Sequence, residues 1–502
     1  MKSLEVIRKT CEYTGIPYPK SHEINWNDNA VWDDMITSPS GIFQFEGNYA
    51  YEMLKQFHPH KINDMSIVNA ALRPSGASYR NRLLSGEINK NPSPIIDALL
   101  ADNNGYLIFQ EDTIKFLQQI CGLSGSEADN IRRAIGRKQV DRLEKALPKI
   151  LSGYCQMSPQ PKEIAEQEAK QFLKIIEDSA RYQFGFNHSQ GYSMIGYLCA
   201  YLRYYHPEEF IAAYLNCANN TDDIVYGTEL AKLKNVKILP IKFGKSLADY
   251  SVDKPSHAIY KGIESIKYCN AQIADELMNL AQSKEYEDFI DLLNDINART
   301  SVNSRQLEIL TGLNYFSDFG NNKKLLEVEK LYDKFAGIKQ IKKDKMEELG
   351  VNEFLMKKYA EKETAKIYKG INWLGLLKEL CDKIPNESLD LIRQMKFEKD
   401  HLEYVNTVMP DISKDYYVIV EFIQNKDASK PRLVARRIYD GEEIKTRIKY
   451  SKIYQANPFG LWSILKIDGF DKEFKKRPDS TGKWVETDEL EDILNSYEVI
   501  KE

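Results

Sequence analysis

"FGFNHSQGYSMIGY", residues 184–197, decides how the N-terminal half of this chain is read. From Tyr192 onward Met194, Ile195, Leu198, Tyr201 and Leu202 recur at helical spacing, and "YYHPEEF" ends that helix and opens the next. Gly185 and Gly191 allow close backbone approach. Asn187, His188 and Ser189 stand where a helix N-terminus receives an anion. An ordinary capped helix behind a loop accounts for the same letters. The stretch predicts a helix and leaves its use open.

Outward from it, the helical period recurs over Leu4–Glu12, Ala50–Phe57, Asp112–Cys121 and Glu127–Ile135, then through "PKEIAEQEAKQFLKIIEDSARY". Around 235–260 the texture changes, and "VKILPIKFGKSLADYSVD" and "HAIYKGI" predict short strands. Helices resume in "IADELMNLAQ", "YEDFIDLLNDI" and "NSRQLEILTGLNYF". Residues 321–400, rich in Lys and Glu, predict a solvent-facing helical segment. Beyond Pro410, "YYVIVEFIQ", "RLVARRIYDGEEIKTRIKY" and "GLWSILKIDGF" alternate as strands do, and the "DG" between two such runs signals a hairpin. About five short strands fit a small barrel or sandwich.

Bulk properties narrow the class. A chain of 502 residues exceeds one compact core, so several domains are expected. No run of about 18 apolar residues is present to span a membrane. The N-terminus "MKSLEVIRKTCEYTG" interleaves charges with apolar residues, unlike a signal peptide. The 7 cysteines include no CxxC, which suits a reducing cytosol and argues against structural zinc. The net charge of −5 excludes a chain coated in basic residues, though not a local basic patch.

One such patch is "IRRAIGRKQVDRLEKALPK", residues 131–149. Arg132, Arg133, Arg137 and Lys138 fall within two turns behind "SGSEAD", a capping arrangement. Guanidinium forks so grouped suit the oxygens of a polyphosphate, while a solvated basic face is the plainer reading. "LRPSGASYRNRLLSG" adds Arg73, Arg80 and Arg82 around flexible Gly76, with a surface loop as the alternative. In "GYLIFQED", Glu111 and Asp112 are neighbours that point about 100° apart on a helix, so capping explains them better than metal binding. "FHPHK" sets His58 and His60 two apart without an apparent third ligand. No Walker loop, GxSxG or HExxH occurs.

In order, "GIFQFEG", "LRPSG", "GYLIFQEDTIKFLQQICGLSGSEADNIRRAIGRK", "FGFNHSQGYSMIGYLCAYLRYYHPEEFIAAYLN" and "VKILP" resemble the bacterial replicative DNA polymerase III alpha subunits, the C family. The resemblance is to their C-terminal part. It is strong over 1–220, moderate to 320 and faint beyond, where "QMKFEKDHLEY" is similar to the segment leading into an oligonucleotide-binding barrel.

The resemblance implies a mainly α chain with a C-terminal small, OB-like β-barrel. It divides the chain into the end of the palm (1–45), fingers (46–225), a helix-hairpin-helix-like tandem (226–320), a helical linker (321–410) and the barrel (411–502). It implies that Arg132 and Arg133 contact the triphosphate of an incoming dNTP, and that Asn187, His188 and Ser189 line its pocket. Arg137 and Lys138 would reach phosphate or primer–template DNA, Arg73 with Gly76 would form the loop packing beside the nucleotide pocket, and these two with Arg80 and Arg82 would be further DNA or phosphate contacts.

No catalytic residue is expected in the chain itself. The family's metal-binding aspartates lie upstream of the segment matching "SLEVIRKT". The resemblance therefore implies a DNA-directed DNA polymerase inactive without a separate N-terminal half, whose palm would bind Mg2+. A bacterial or phage-infected cytoplasm follows from the same family, with a sliding clamp as a further partner. "QANPFG" (455–460) resembles the clamp-binding motif loosely and is also a plain turn. Tyr268-Cys269-Asn270 stands where the family's hairpin carries glycines, which puts duplex binding there in question. The alternative is a non-catalytic DNA-binding or interaction protein, a remnant of such a polymerase.

Overall fold

The tyrosine-rich stretch forms one helix, Phe186–Tyr205, which begins at Phe186 and not at Tyr192. The computed structural model describes residues 2–73, 79–179, 183–423, 429–478 and 483–501. The chain divides into two units, Met1–Leu239 with Val252–Ile259, and Pro240–Ser251 with Tyr260–Glu502.

In the first unit, Phe186–Tyr205 packs on helices Ile62–Ala71 and Asn29–Met35. Gly196 permits the approach, because a Cβ there would lie 2.5 Å from Met65 Cε and 3.1 Å from the Phe43 carbonyl oxygen. Arg203, from the same helix, is fully buried. Its guanidinium donates to Asp34 Oδ2 at 3.0 Å and to the carbonyls of Asp34 (2.6 Å), Ser38 (2.8 Å) and Ser40 (3.0 Å). A buried ion so satisfied locks its neighbours; stripped of Asp34 it would cost roughly 3–5 kcal/mol.

A second layer of this unit holds the basic patch. Helices Gly125–Gly136, Val140–Met157 and Lys162–Ser179 turn Ile131, Ile150, Phe172 and Ile176 into one core with Phe116 and Leu117. The patch thus spans two helices, broken where Lys138 takes a left-handed φ of 55°. Gly153 lets the second of them lie against Cys121, whose carbonyl oxygen would be 1.9 Å from a Cβ. Strands Lys237–Leu239, Ser251–Asp253 and Ala258–Tyr260 appear where short strands were expected.

In the second unit, helices Ala271–Ser283, Phe289–Arg299 and Ser304–Gly312 share a core through Leu277, Leu293 and Leu310. Residues 321–400 are not a solvent-facing helical segment. Helix Asn322–Phe335 sends Leu325, Val328 and Phe335 into that same core. Strands Gln340–Lys342 and Ala360–Glu363 flank Ile367–Ile371 in an antiparallel sheet that adds Ile341, Tyr368 and Ile371 to the core. Most of the lysines and glutamates occupy outward positions, Glu329 and Glu398 being buried exceptions, and they hide this apolar spacing in a composition-based reading.

The small C-terminal β domain is present, but its sheet is not closed. Its strand order is Asp471–Pro478, Trp484–Ile493, Glu443–Arg447, Arg432–Arg437, Tyr416–Ile423, Ile464–Lys466, Glu498–Lys501, with 7 strands where about five were expected. The "DG" hairpin joins Arg432–Arg437 to Glu443–Arg447, with Arg436 opposite Glu443. The acidic sequence "ETDELEDI" lies within the strand Trp484–Ile493.

Candidate functional site

The carboxamide of Gln110 and the carboxylate of Glu111 join two elements that are distant in sequence. Gln110 and Phe184 are tied by a bond from Gln110 N to Phe184 O at 2.9 Å, beside a parallel bridge between Phe109 and Phe184. Next in the chain, Glu111 Oε2 accepts the backbone N–H of Phe186, first residue of the tyrosine-rich helix, at 2.8 Å. From the other side Arg132 donates to Gln110 Oε1 at 3.0 Å. The basic helix and the N-terminus of helix Phe186–Tyr205 therefore meet at Gln110–Glu111.

Asp112 completes this segment as a cap, accepting from Phe109 N at 2.8 Å and Asn103 Nδ2 at 2.9 Å. Burial pushes its carboxyl up to about 6, against the pull of the Phe109 N–H. Capping is the role of both acids, as their spacing suggested.

Arg132 and Arg133 share one acceptor, Asp129. Arg132 reaches its Oδ1 at 2.8 Å and Arg133 its Oδ2 at 2.8 Å. The Arg132 hydrogen bond holds this carboxyl below the usual range. Ser124 and Glu127 form the capping box that starts the helix. Arg137 follows its last turn and Lys138 the break, both exposed. Neither makes an ion pair among the described residues.

At the helix start, Asn187 and His188 are exposed and Ser189 is fully buried. The three residues, which the helical period from Tyr192 left ahead of the helix, form part of its first turn. Ser189 faces inward, its Oγ donating to the Ser66 carbonyl at 2.7 Å, so its hydroxyl braces two helices. His188 stacks between Phe184 (centroids 5.3 Å) and Tyr192 (4.1 Å). Arg73 lies over the far partner of that stack, 4.4 Å from the Phe184 centroid. Among the described residues no acceptor meets the backbone N–H of Asn187 or His188, the orphan donors of a first helical turn.

Arg80 and Arg82 are not part of this cluster. Arg80 closes the C-terminal end of helix Ile62–Ala71, donating to the carbonyls of Ala71 and Arg73, both at 2.7 Å, and to Tyr49 Oη at 2.6 Å. Arg82 is paired with Glu87 at 2.6 and 3.0 Å. Gly76 lies outside the described residues.

Sequence reasoning missed Gln110, Asp129 and Phe184 as parts of the site. Asp129 was legible, since it stands three and four positions before the two arginines on one helix face. The pairing of Phe184 with Phe109 carried no local signal.

The carboxylates near the basic helix do not suit a pair of magnesium ions. Asp129 is saturated by two guanidinium groups, Asp112 by buried donors, and Glu111 caps a helix. The Mg2+ expected with this family has no cage among them.

In the second unit the segment Tyr268-Cys269-Asn270 makes its turn without glycine. Tyr268 adopts φ 70°, the left-handed conformation glycine usually supplies, and Asn270 caps the next helix through Ile273 N at 3.1 Å. The Tyr268 ring lies 3.5 Å below the Arg305 guanidinium carbon. At the following turn the Ser301 N–H donates to Glu276 at 2.6 Å. In the β domain the basic strands are largely neutralised. Arg437 pairs with Asp440, Arg447 with Glu491 and Arg477 with Glu489. Phe459 of "QANPFG" is buried among Phe422, Tyr454 and Tyr497, so it is not displayed to a clamp.

Comparison with known proteins agrees with this arrangement. Residues 3–157 match the bacterial DNA polymerase III alpha subunit finger domain, and residues 235–326 match the helix-hairpin-helix motif. The chain is 28% identical over 342 residues to the DNA polymerase III subunit alpha of Campylobacter jejuni, covering 65% of this chain and 28% of that one. Those of Aquifex aeolicus and Bacillus subtilis are each 27% identical over 292 residues, 57% of this chain and 24% and 26% of theirs. The chain thus spans about a quarter of the length of the curated relatives it matches. It is similar to the fingers and helix-hairpin-helix part of a replicative DNA polymerase. Among the described residues no helix is long and apolar enough to cross a membrane.

Proposed function

We propose that the chain supplies the fingers of a template-directed DNA polymerase, gripping the triphosphate of an incoming dNTP and the primer–template backbone. The observation that carries this reading is the junction at Gln110–Glu111, which brings Arg132 to the start of helix Phe186–Tyr205. A polyphosphate there would meet two kinds of positive charge. Guanidinium forks offer bidentate donors, and the helix N-terminus offers N–H groups and the positive end of its dipole.

Arg132 and Arg133 would leave Asp129 for the phosphate oxygens, while Arg137 and Lys138 follow the backbone of DNA. Asn187 and His188 face the nucleotide; Ser189 acts behind them as a brace. The charge that develops on a departing pyrophosphate is what such preplaced cations stabilise.

The metal-holding carboxylates of this chemistry belong, in this reading, to a polymerase half outside these residues, which brings Mg2+ with it. Primer extension tests the whole. The chain alone should extend no primer with dNTPs and Mg2+, and adding the palm-bearing half should produce templated synthesis. Synthesis unaffected by Arg132→Ala with Arg133→Ala would refute the assigned roles.

A second reading, a non-catalytic DNA-binding or interaction protein, is favoured on its interaction side by the paired arginines of the β domain, which leave few free cations for DNA there. It expects no nucleotide dependence in whatever the chain binds.

A further inference from the structure

We infer that Asp33, His58 and His60 form a site for a divalent transition-metal ion of the zinc type. The sequence offered two histidines and no third ligand; the fold supplies one from another helix. Asp33 lies in helix Asn29–Met35, and His58 is the residue that ends helix Asn48–Phe57. One ligand atom from each of the three lies within 4.8 Å of the other two. His58 Nε2 is 3.1 Å from Asp33 Oδ1, and the His58 and His60 rings stand 4.5 Å apart.

These separations suit zinc. Tetrahedral bonds of about 2.0–2.1 Å place neighbouring ligand atoms about 3.3 Å apart. The His58–Asp33 pair is already at that spacing, and rotation of the exposed His60 ring would bring its nitrogen toward both.

The backbone prepares the arrangement. His58 sits at φ 50° and ψ 72°, a left-handed cap that ends its helix, and its ring meets Asp33 and His60. Buried Pro59 then fixes the step to His60, whose N–H is held by Asp64 Oδ2 at 3.2 Å. Two imidazoles with one carboxylate are borderline ligands that take Zn2+, Co2+ or Ni2+ and leave Mg2+ to all-oxygen sites. Three protein ligands at an exposed position leave a fourth place for water. The ion would clamp the end of one helix to another. It is a different ion, at a different place, from the Mg2+ of the polymerase reading, and the inference does not depend on that reading.

The test uses the full 502-residue chain without a histidine tag. Titration with Co2+ should give one saturable set of tetrahedral d–d bands, displaced by stoichiometric Zn2+ and indifferent to Mg2+. Asp33→Asn with His60→Gln should abolish the bands while circular dichroism and the metal-free melting temperature stay unchanged. Binding should weaken in acid, because protons compete for the imidazoles. Zn2+ should raise the melting temperature of the wild-type chain and leave that of the variant unmoved. Absence of the Co2+ bands, or bands that survive the double substitution, would overturn the site and leave a plain His58–Asp33 hydrogen bond.

Discussion

The carboxylate of Glu111 accepts the backbone N–H of Phe186 at 2.8 Å, capping a helix 75 residues further along the chain. A carboxylate at a helix N-terminus gains from both the orphan N–H and the dipole. Glu111→Ala should therefore cost about 1–2 kcal/mol in urea denaturation, and Glu111→Gln, which keeps an acceptor, about half as much. Equal stability of all three would mean that the contact does not hold the helix start.

Arg80 and the pair Arg137–Lys138 should separate cleanly. Arg80→Ala leaves the carbonyls of Ala71 and Arg73 without their guanidinium donor and should lower stability by about 1–3 kcal/mol. Its slope of log affinity for primer–template DNA against log salt should not change. Arg137→Ala and Lys138→Ala should each reduce that slope by about 1 with little loss of stability. The opposite pattern would exchange the roles of the two elements.

Tyr268 carries a left-handed backbone and an Arg305 stack at once. Tyr268→Ala loses the stack and keeps the strained φ, whereas Tyr268→Gly loses the stack and relieves it. The alanine variant should be the less stable of the two by about 1 kcal/mol in paired denaturation curves. The reverse order would place the hairpin in another conformation.

Glu329 is buried in the core of the second unit and accepts from the Thr311 hydroxyl. Burial pushes its carboxyl up from 4.5 to about 8, beyond what the Thr311 bond offsets, and Glu308 and Asp333 push the same way. Between those two values the folded chain binds more protons than the unfolded one. Its contribution to stability is therefore full in acid and is lost as pH rises through that window. Relative to wild type, Glu329→Gln should gain stability steadily between about pH 5 and about pH 8. A pH-independent difference would show that Glu329 ionises normally.

Much of this was legible in the letters. Helix Phe186–Tyr205, the capping box of Ser124 and Glu127 and the "DG" hairpin follow from spacing and turn chemistry, which are local. Residues 321–400 misled because Lys and Glu outnumber Leu325, Val328 and Phe335, which face the core at helical intervals. The strands Asp471–Pro478 and Trp484–Ile493 misled because their side chains are mostly charged and pair across the ladder, as Arg477 does with Glu489, so the usual alternation of apolar residues is missing. At the candidate site the arginines were visible, but Gln110 and Phe184 were not. Their meeting is a tertiary event between segments with no shared pattern.

The central claim, that the basic helix holds a triphosphate, is tested most directly by charge competition at Asp129. This carboxylate is shared by Arg132 and Arg133, so a bound polyphosphate must replace it. Equilibrium binding of a deoxynucleoside triphosphate to the full chain at low salt should strengthen in Asp129→Asn. It should weaken on the order of 100-fold in Arg132→Ala with Arg133→Ala, at about 1.5–3 kcal/mol for each charge-assisted contact. The same affinity in all three proteins would contradict the claim and leave the helix as an internally neutralised surface.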